Sequence, residues 1–86
     1  MDRHEYETKD LALATYLQLT VPGGSVREFE WDESSCTFVH MRSDELLAAV
    51  EDYECGKGLV EPRTFVIESS KIKRMMFRHQ PSKVQT

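Results

Sequence analysis

The first long apolar stretch of the chain is helical in its spacing. Leu11, Ala14 and Leu17 mark one face and Ala12, Tyr16 and Leu19 a second. A helix apolar on two sides is expected at the centre of the fold. Thr8 reads as its N-cap, with Asp10 in the first turn, and Pro22-Gly23-Gly24 ends it. Tyr6 and Glu7 before it predict a short strand.

The period then drops to two. Between Ser25 and Trp31, Val26, Glu28 and Glu30 point one way, and Arg27, Phe29 and Trp31 the other. Asp32-Glu33-Ser34-Ser35 is a turn, and Cys36 to Met41 alternates again. The two segments predict an antiparallel hairpin whose Phe29/Trp31 face packs on helices.

Helical spacing returns after Ser43, a capping serine followed by Asp44 and Glu45. Leu46, Leu47, Val50 and Tyr53 form the stripe, and Gly56 or Gly58 ends it. Pro62 suits the first position of a third helix. Phe65, Ile72, Met75 and Met76 line one side of that helix, with Ser69 as a small contact point. Pro81 closes it.

The order is short strand, buried helix, antiparallel hairpin, then two C-terminal helices packed on the sheet: an α+β fold. Residues 1–5 are expected to be a polar lead-in, 6–80 a single domain and 81–86 a flexible tail.

Composition agrees with one folded domain. The chain has 86 residues, of which 40% are hydrophobic and 30% charged, a balance that excludes a disordered segment. A core of this size leaves little room for a cofactor cavity, so no cofactor and no enzymatic activity are expected. The run Leu11 to Val21 is too short for a membrane span and contains Thr15, Gln18 and Thr20. The charged N-terminus shows no signal peptide, and two cysteines without one, Cys36 and Cys55, point to reduced thiols and a cytoplasmic protein.

Charge sharpens the picture. Residues 1–70 carry all fifteen acids against six bases, 6 − 15 = −9, while residues 71–86 carry +5, for the total of −4. The basic set is Lys71, Lys73, Arg74, Arg78 and Lys83. The split makes the molecule a dipole, which speaks to partners and not to chemistry.

Taken in order, Thr8-Lys9-Asp10-Leu11 with Ala14 and Leu17, the strand pair Thr37-Phe38, Leu47 and Val50, Asp52-Tyr53, and Val60-Glu61-Pro62 with Phe65 resemble a small bacterial and phage family, domain of unknown function 5659. The resemblance spans roughly residues 6 to 77 and ends in a lysine-rich helix. It implies an α+β fold and an occurrence in bacterial or mobile-element genomes, and it implies no activity. The chain departs from the family pattern at Pro22-Gly23-Gly24 and at Glu61. There the family more often has aspartate, so a weaker helix cap is expected.

Little in the sequence points to chemistry. Cys36 and His40 are four residues apart on a strand, about 13 Å at about 3.3 Å per residue. Zinc ligands must each come within about 2.0–2.3 Å of one ion, so no metal site is expected. Ser34, Ser35, Ser69 and Ser70 lack a nearby histidine, and Pro22-Gly23-Gly24-Ser25 lacks phosphate-loop spacing. The pairs Glu28/Glu30, Asp44/Glu45 and Glu51/Asp52 read as solvated faces or helix-start charges.

The expected function is therefore binding. The leading reading is a protein-interaction module that binds or inhibits a host protein through the acidic residues Glu28, Glu30, Asp32 and Glu33, or self-associates as a homo-oligomer. The Met75-Met76-Phe77 run exceeds what one helix face can bury and leaves apolar surface for a partner. The alternative is nucleic-acid binding through Lys71, Lys73, Arg74, Phe77 and Arg78, with His79 beside them. Against that alternative, the same cations are expected to pair with Glu51, Asp52 and Glu54 on a neighbouring helix.

Overall fold

A computed structural model describes residues 4–81. Its elements run β1 (Glu5–Thr8), α1 (Leu11–Thr20), β2 (Val26–Asp32), β3 (Ser35–Met41), α2 (Asp44–Glu54) and α3 (Pro62–Arg78). The α+β class and the expected order both hold.

The three strands form one antiparallel sheet in the order β1-β3-β2. The hairpin strand β3 is therefore central, and β1 pairs with its far edge. Three rows cross the sheet: Tyr6–His40–Val26, Glu7–Val39–Glu28 and Thr8–Phe38–Phe29. Side chains alternate between the faces, so the first and third rows point one way and the Glu7 row the other.

The inner face meets all three helices. Leu13, Tyr16, Leu17, Val21, Leu46 and Val50 form one apolar cluster, joined by Tyr6, Tyr53, Val60 and Phe65. Ala14, Cys36, Phe38 and Ile72 form a second, joined by Leu11, Val26, Phe29, Trp31 and Met76. Helix α1 supplies both clusters, and five consecutive residues, Leu13 to Leu17, are buried along it. Full burial of a side chain the size of Leu17, Phe38 or Ile72 contributes about 1.5–3 kcal/mol, so these clusters carry the fold. The indole N–H of Trp31 donates to the Met76 carbonyl at 3.2 Å and ties the hairpin to α3.

Several sequence expectations change in detail. The N-cap of α1 is Asp10 and not Thr8: its carboxylate accepts the N–H groups of Ala12 and Leu13, while Thr8 ends β1 and accepts the Asp10 N–H. The polar lead-in is shorter than expected, because Glu5 already pairs with Met41. A register shift between Val26 and Glu28 reverses the expected alternation, so Val26 faces inward with Phe29 and Trp31. Met75 and Leu47, both expected in apolar stripes, are exposed.

The helix ends follow capping rules. Ser43 caps α2 by accepting the Leu46 N–H at 3.0 Å. At the other end Gly56 has φ +75, Gly56 N–H donates to Tyr53 and Lys57 N–H to Asp52, a Schellman closure that favours glycine. Val60 and Phe65 bracket the start of α3 and both pack on the first cluster, as a hydrophobic staple does. Of the expected tail, residues 82–86 lie outside the described residues.

Candidate functional site

The outer face of the sheet is built from alternation alone. Glu5 and Glu7 reach it from β1, Thr37, Val39 and Met41 from β3, and Glu28 and Glu30 from β2. Val39 is fully buried yet belongs to neither core cluster. Its in-register neighbours are Glu7 and Glu28. Met41 stands 48% exposed at the end of the strand.

Four glutamates thus share one surface. Partial desolvation and then the charges of Glu7, Glu28 and Glu5 push the Glu30 carboxyl above the usual carboxylate range, and a hydrogen bond to Glu28 adds to the shift. Among the described residues no cation forms an ion pair with this set. The four carboxylates therefore lie close enough for their charges to oppose one another.

Of the four acids expected to bind a protein, Glu28 and Glu30 lie at the middle of this face. Asp32 pairs with Ser35 at the hairpin end, on the same side by alternation. Glu33 sits in the turn with φ +58. Glu5 and Glu7 join this face without being singled out by the sequence pattern. The alternation Glu5-Tyr6-Glu7-Thr8 was visible, but nothing in so short a strand announced that it would pair with β3.

Helix α3 carries the residues of the alternative. Lys73, Arg74 and Arg78 are exposed, and Phe77 is 53% exposed with its ring tilted against Trp31 at 6.3 Å. The expected pairing of these cations with α2 does not occur. Helix α1 packs on both α2 and α3, which themselves make little contact. Among the described residues, the ion pair of α3 is Lys71 to Glu68 on the same helix, at 3.8 Å. His79 is also not free to stack on a base: its ring lies on Phe29 at 5.2 Å and its Nδ1 is 2.8 Å from the Met75 carbonyl. Lys83 lies outside the described residues.

The buried His40 and Cys36 serve the fold. His40 is fully buried, with Nδ1 2.8 Å from the Gly24 carbonyl, and burial lowers its pKa. Burial likewise pushes the Cys36 thiol up, away from the reactive thiolate. Cys36 borders a groove of about 370 Å³ lined by Leu11, Trp31, Phe38, Met76 and Phe77. Cys55, a free thiol like Cys36, is the exposed C-cap of α2. Among the described residues no group of three His, Cys, Asp or Glu is placed to hold a metal ion. No helix among them is long and apolar enough to cross a membrane.

The family model for Domain of unknown function (DUF5659) matches residues 3–78. No significant match was found among curated proteins or among solved structures. The family match runs from before β1 to the end of α3 and takes in both charged faces, so the chain belongs to the DUF5659 family.

Proposed function

We propose that this domain is a non-enzymatic, cytoplasmic binding module whose open sheet face docks on a cationic protein surface. One observation carries the reading: Glu5, Glu7, Glu28 and Glu30 converge on one face that no described element covers, where desolvation and then the charges of the other three raise the pKa of Glu30. Like charges gathered this way cost stability, and a cationic partner recovers that cost on binding. The exposed Met41 gives the face an apolar edge. Its free thiols suit a reducing compartment.

The test uses a defined probe, a lysine- and arginine-rich helical peptide, titrated against the wild type and against E28K/E30K. Binding should be lost on reversal and should weaken with salt. A control reversal on α2, E45K/E51K, should leave it unchanged. Equal loss from both variants would reduce the effect to net charge and sink the reading.

A second reading is supported by the bare cations of α3. Lys73, Arg74 and Arg78 form no ion pair among the described residues, and Phe77 is exposed beside them. They suit phosphate contact with one stacked base. Titration with short DNA and RNA at low and high salt decides it, because such contact must weaken steeply with salt. No binding at low salt excludes this reading.

A further inference from the structure

We infer that the outward face of α3 docks on the open sheet face of a second copy of this chain. The inference rests on the reading of the sheet face as a protein-binding surface, and it names the partner.

The outward face follows from the helix period. Ile72 is 1% exposed and sets the inward direction. At about 3.6 residues per turn, the opposite side carries Arg63, Val66, Ile67, Ser70, Arg74 and Phe77. Val66, Ile67 and Phe77 are 62%, 51% and 53% exposed. Lys71, Lys73 and Arg78 flank the stripe. The one acid within α3, Glu68, is turned toward α1, where it accepts the side-chain amide of Gln18 at 2.6 Å. The helix therefore shows solvent a surface of cations and large apolar side chains without a single carboxylate.

That mixture selects the occupant. A nucleic acid would use the cations and could stack a base on Phe77. It has no use for Val66 and Ile67, which lie in the half of the helix where Arg63 is the only base. An anionic protein surface with apolar groups of its own satisfies both parts. The sheet face has that composition, with four glutamates and the 48% exposed Met41 at its end.

The two faces cannot meet within one molecule. The sheet and α3 are joined through the second core cluster, where Phe38 and Phe29 pack with Ile72 and Met76, so the charged faces look in opposite directions. The contact must form between copies. It is heterologous: each copy offers one donor face and one acceptor face, and repetition gives an open chain or a ring.

Light scattering at rising protein concentration reads the outcome directly. The wild type should gain mass with concentration at about 50 mM salt and return to the monomer at about 500 mM. Two variants give the sharper test. E28K/E30K keeps α3 intact, and R74E/F77S keeps the sheet face intact. Each alone should remain monomeric, with a wild-type circular dichroism spectrum. Mixed, they should form a 1:1 dimer, because the sound α3 of the first fits the sound sheet face of the second. A wild type that stays monomeric at low salt overturns the inference, and so does a mixture that stays monomeric. Assembly of either variant alone as in the wild type also overturns it. If the wild type is monomeric yet the cationic peptide still binds through Glu28 and Glu30, only the self-docking fails and the protein-binding face stands. If R74E/F77S loses DNA or RNA binding while the wild type is monomeric, α3 serves nucleic acid instead.

Discussion

His40 Nδ1 lies 2.8 Å from the carbonyl oxygen of Gly24, across the start of the hairpin. With Nδ1–H donating, the ring is neutral and Nε2 is left as a buried acceptor without a partner. Gly24 is itself confined, since a Cβ there would stand 2.7 Å from the Leu17 carbonyl and from Val21 Cβ. One hydrogen bond thus joins the central strand to the loop that leaves α1. Protonation of His40 would place a charge where Nε2 has no acceptor.

That arrangement predicts a specific acid sensitivity. Burial lowers the folded-state pKa of His40 below 6.5. As pH falls through that value the unfolded chain takes up the proton first, so stability is full above it and declines below. The slope for one such group is at most about 1.4 kcal/mol per pH unit. Urea titrations between about pH 5.5 and 7.5, above the ordinary carboxylate range, measure it. His40→Asn keeps a donor for Gly24 and cannot titrate. It should be less stable throughout and flatter with pH, and an unchanged slope would refute the assignment.

Glu61 caps α3 more fully than its side-chain length suggests. Its carboxylate accepts the Thr64 N–H at 2.7 Å, the Thr64 hydroxyl at 2.8 Å and the Arg63 N–H at 3.2 Å. The expected weak cap is therefore a good one, because Thr64 supplies a second donor that aspartate would not need. The bonds with Thr64 and then Arg63 lower the Glu61 pKa. A depressed carboxylate stabilises above its unfolded value of 4.5 and loses that contribution as pH falls through its folded value. Glu61→Ala should lower the melting temperature at pH 7, and the difference should shrink as pH falls below 4.5. Glu61→Gln, which still accepts hydrogen bonds, should fall between the two. Equal losses from both variants at all pH values would show that charge is irrelevant there.

The fold was legible wherever one local rule decided the matter. Ser43, Pro62 and the alternation of Phe29 with Trp31 act within a few residues, and each stands where it was expected. Errors arose where distant residues decide. Asp10 displaced Thr8 as a cap because Thr8 is held in β1 by its register with Phe38. The bulge at Arg27 depends on pairing with β3, so strict alternation within β2 places Val26 on the opposite face from the one it takes. The acidic face was half legible for the same reason: Glu28 and Glu30 share a strand, whereas Glu5 and Glu7 join them only through β3. The sequence pairs the cations of α3 with α2 because nothing local to either helix reveals that α1 packs on both.

Gly58 is needed for space and not for its backbone angle. A Cβ there would lie 2.7 Å from Cε1 and Cζ of Tyr16. That ring is 7% exposed and pairs with Tyr53 at a centroid distance of 5.5 Å, so it has little freedom to move. Gly58→Ala should cost about 1–3 kcal/mol by overpacking. Gly23 is the opposite case, with φ +74 and open space around the added carbon, so Gly23→Ala carries backbone strain alone, about 1 kcal/mol. A double-mutant cycle separates the causes. In a Tyr16→Leu background the Gly58→Ala cost should shrink, whereas the Gly23→Ala cost should not.

Glu30 links stability to the proposed binding face. Its raised pKa arises first from partial desolvation, then from the charges of Glu7, Glu28 and Glu5 and the hydrogen bond to Glu28. With a folded value above the unfolded 4.5, the ionised form opposes folding. The penalty is complete above the folded pKa and disappears as pH falls below the unfolded one. Glu30→Gln should therefore raise the melting temperature at pH 7. The gain should shrink in high salt and vanish near pH 4. The same variant should bind the cationic peptide more weakly, because the repulsion it relieves is the field a partner would use. Such opposition between stability and function is expected where like charges are gathered for binding. A Glu30→Gln protein that is no more stable would show that the four carboxylates do not repel across β3. One that is more stable and binds the peptide as well as the wild type would remove Glu30 from the binding face.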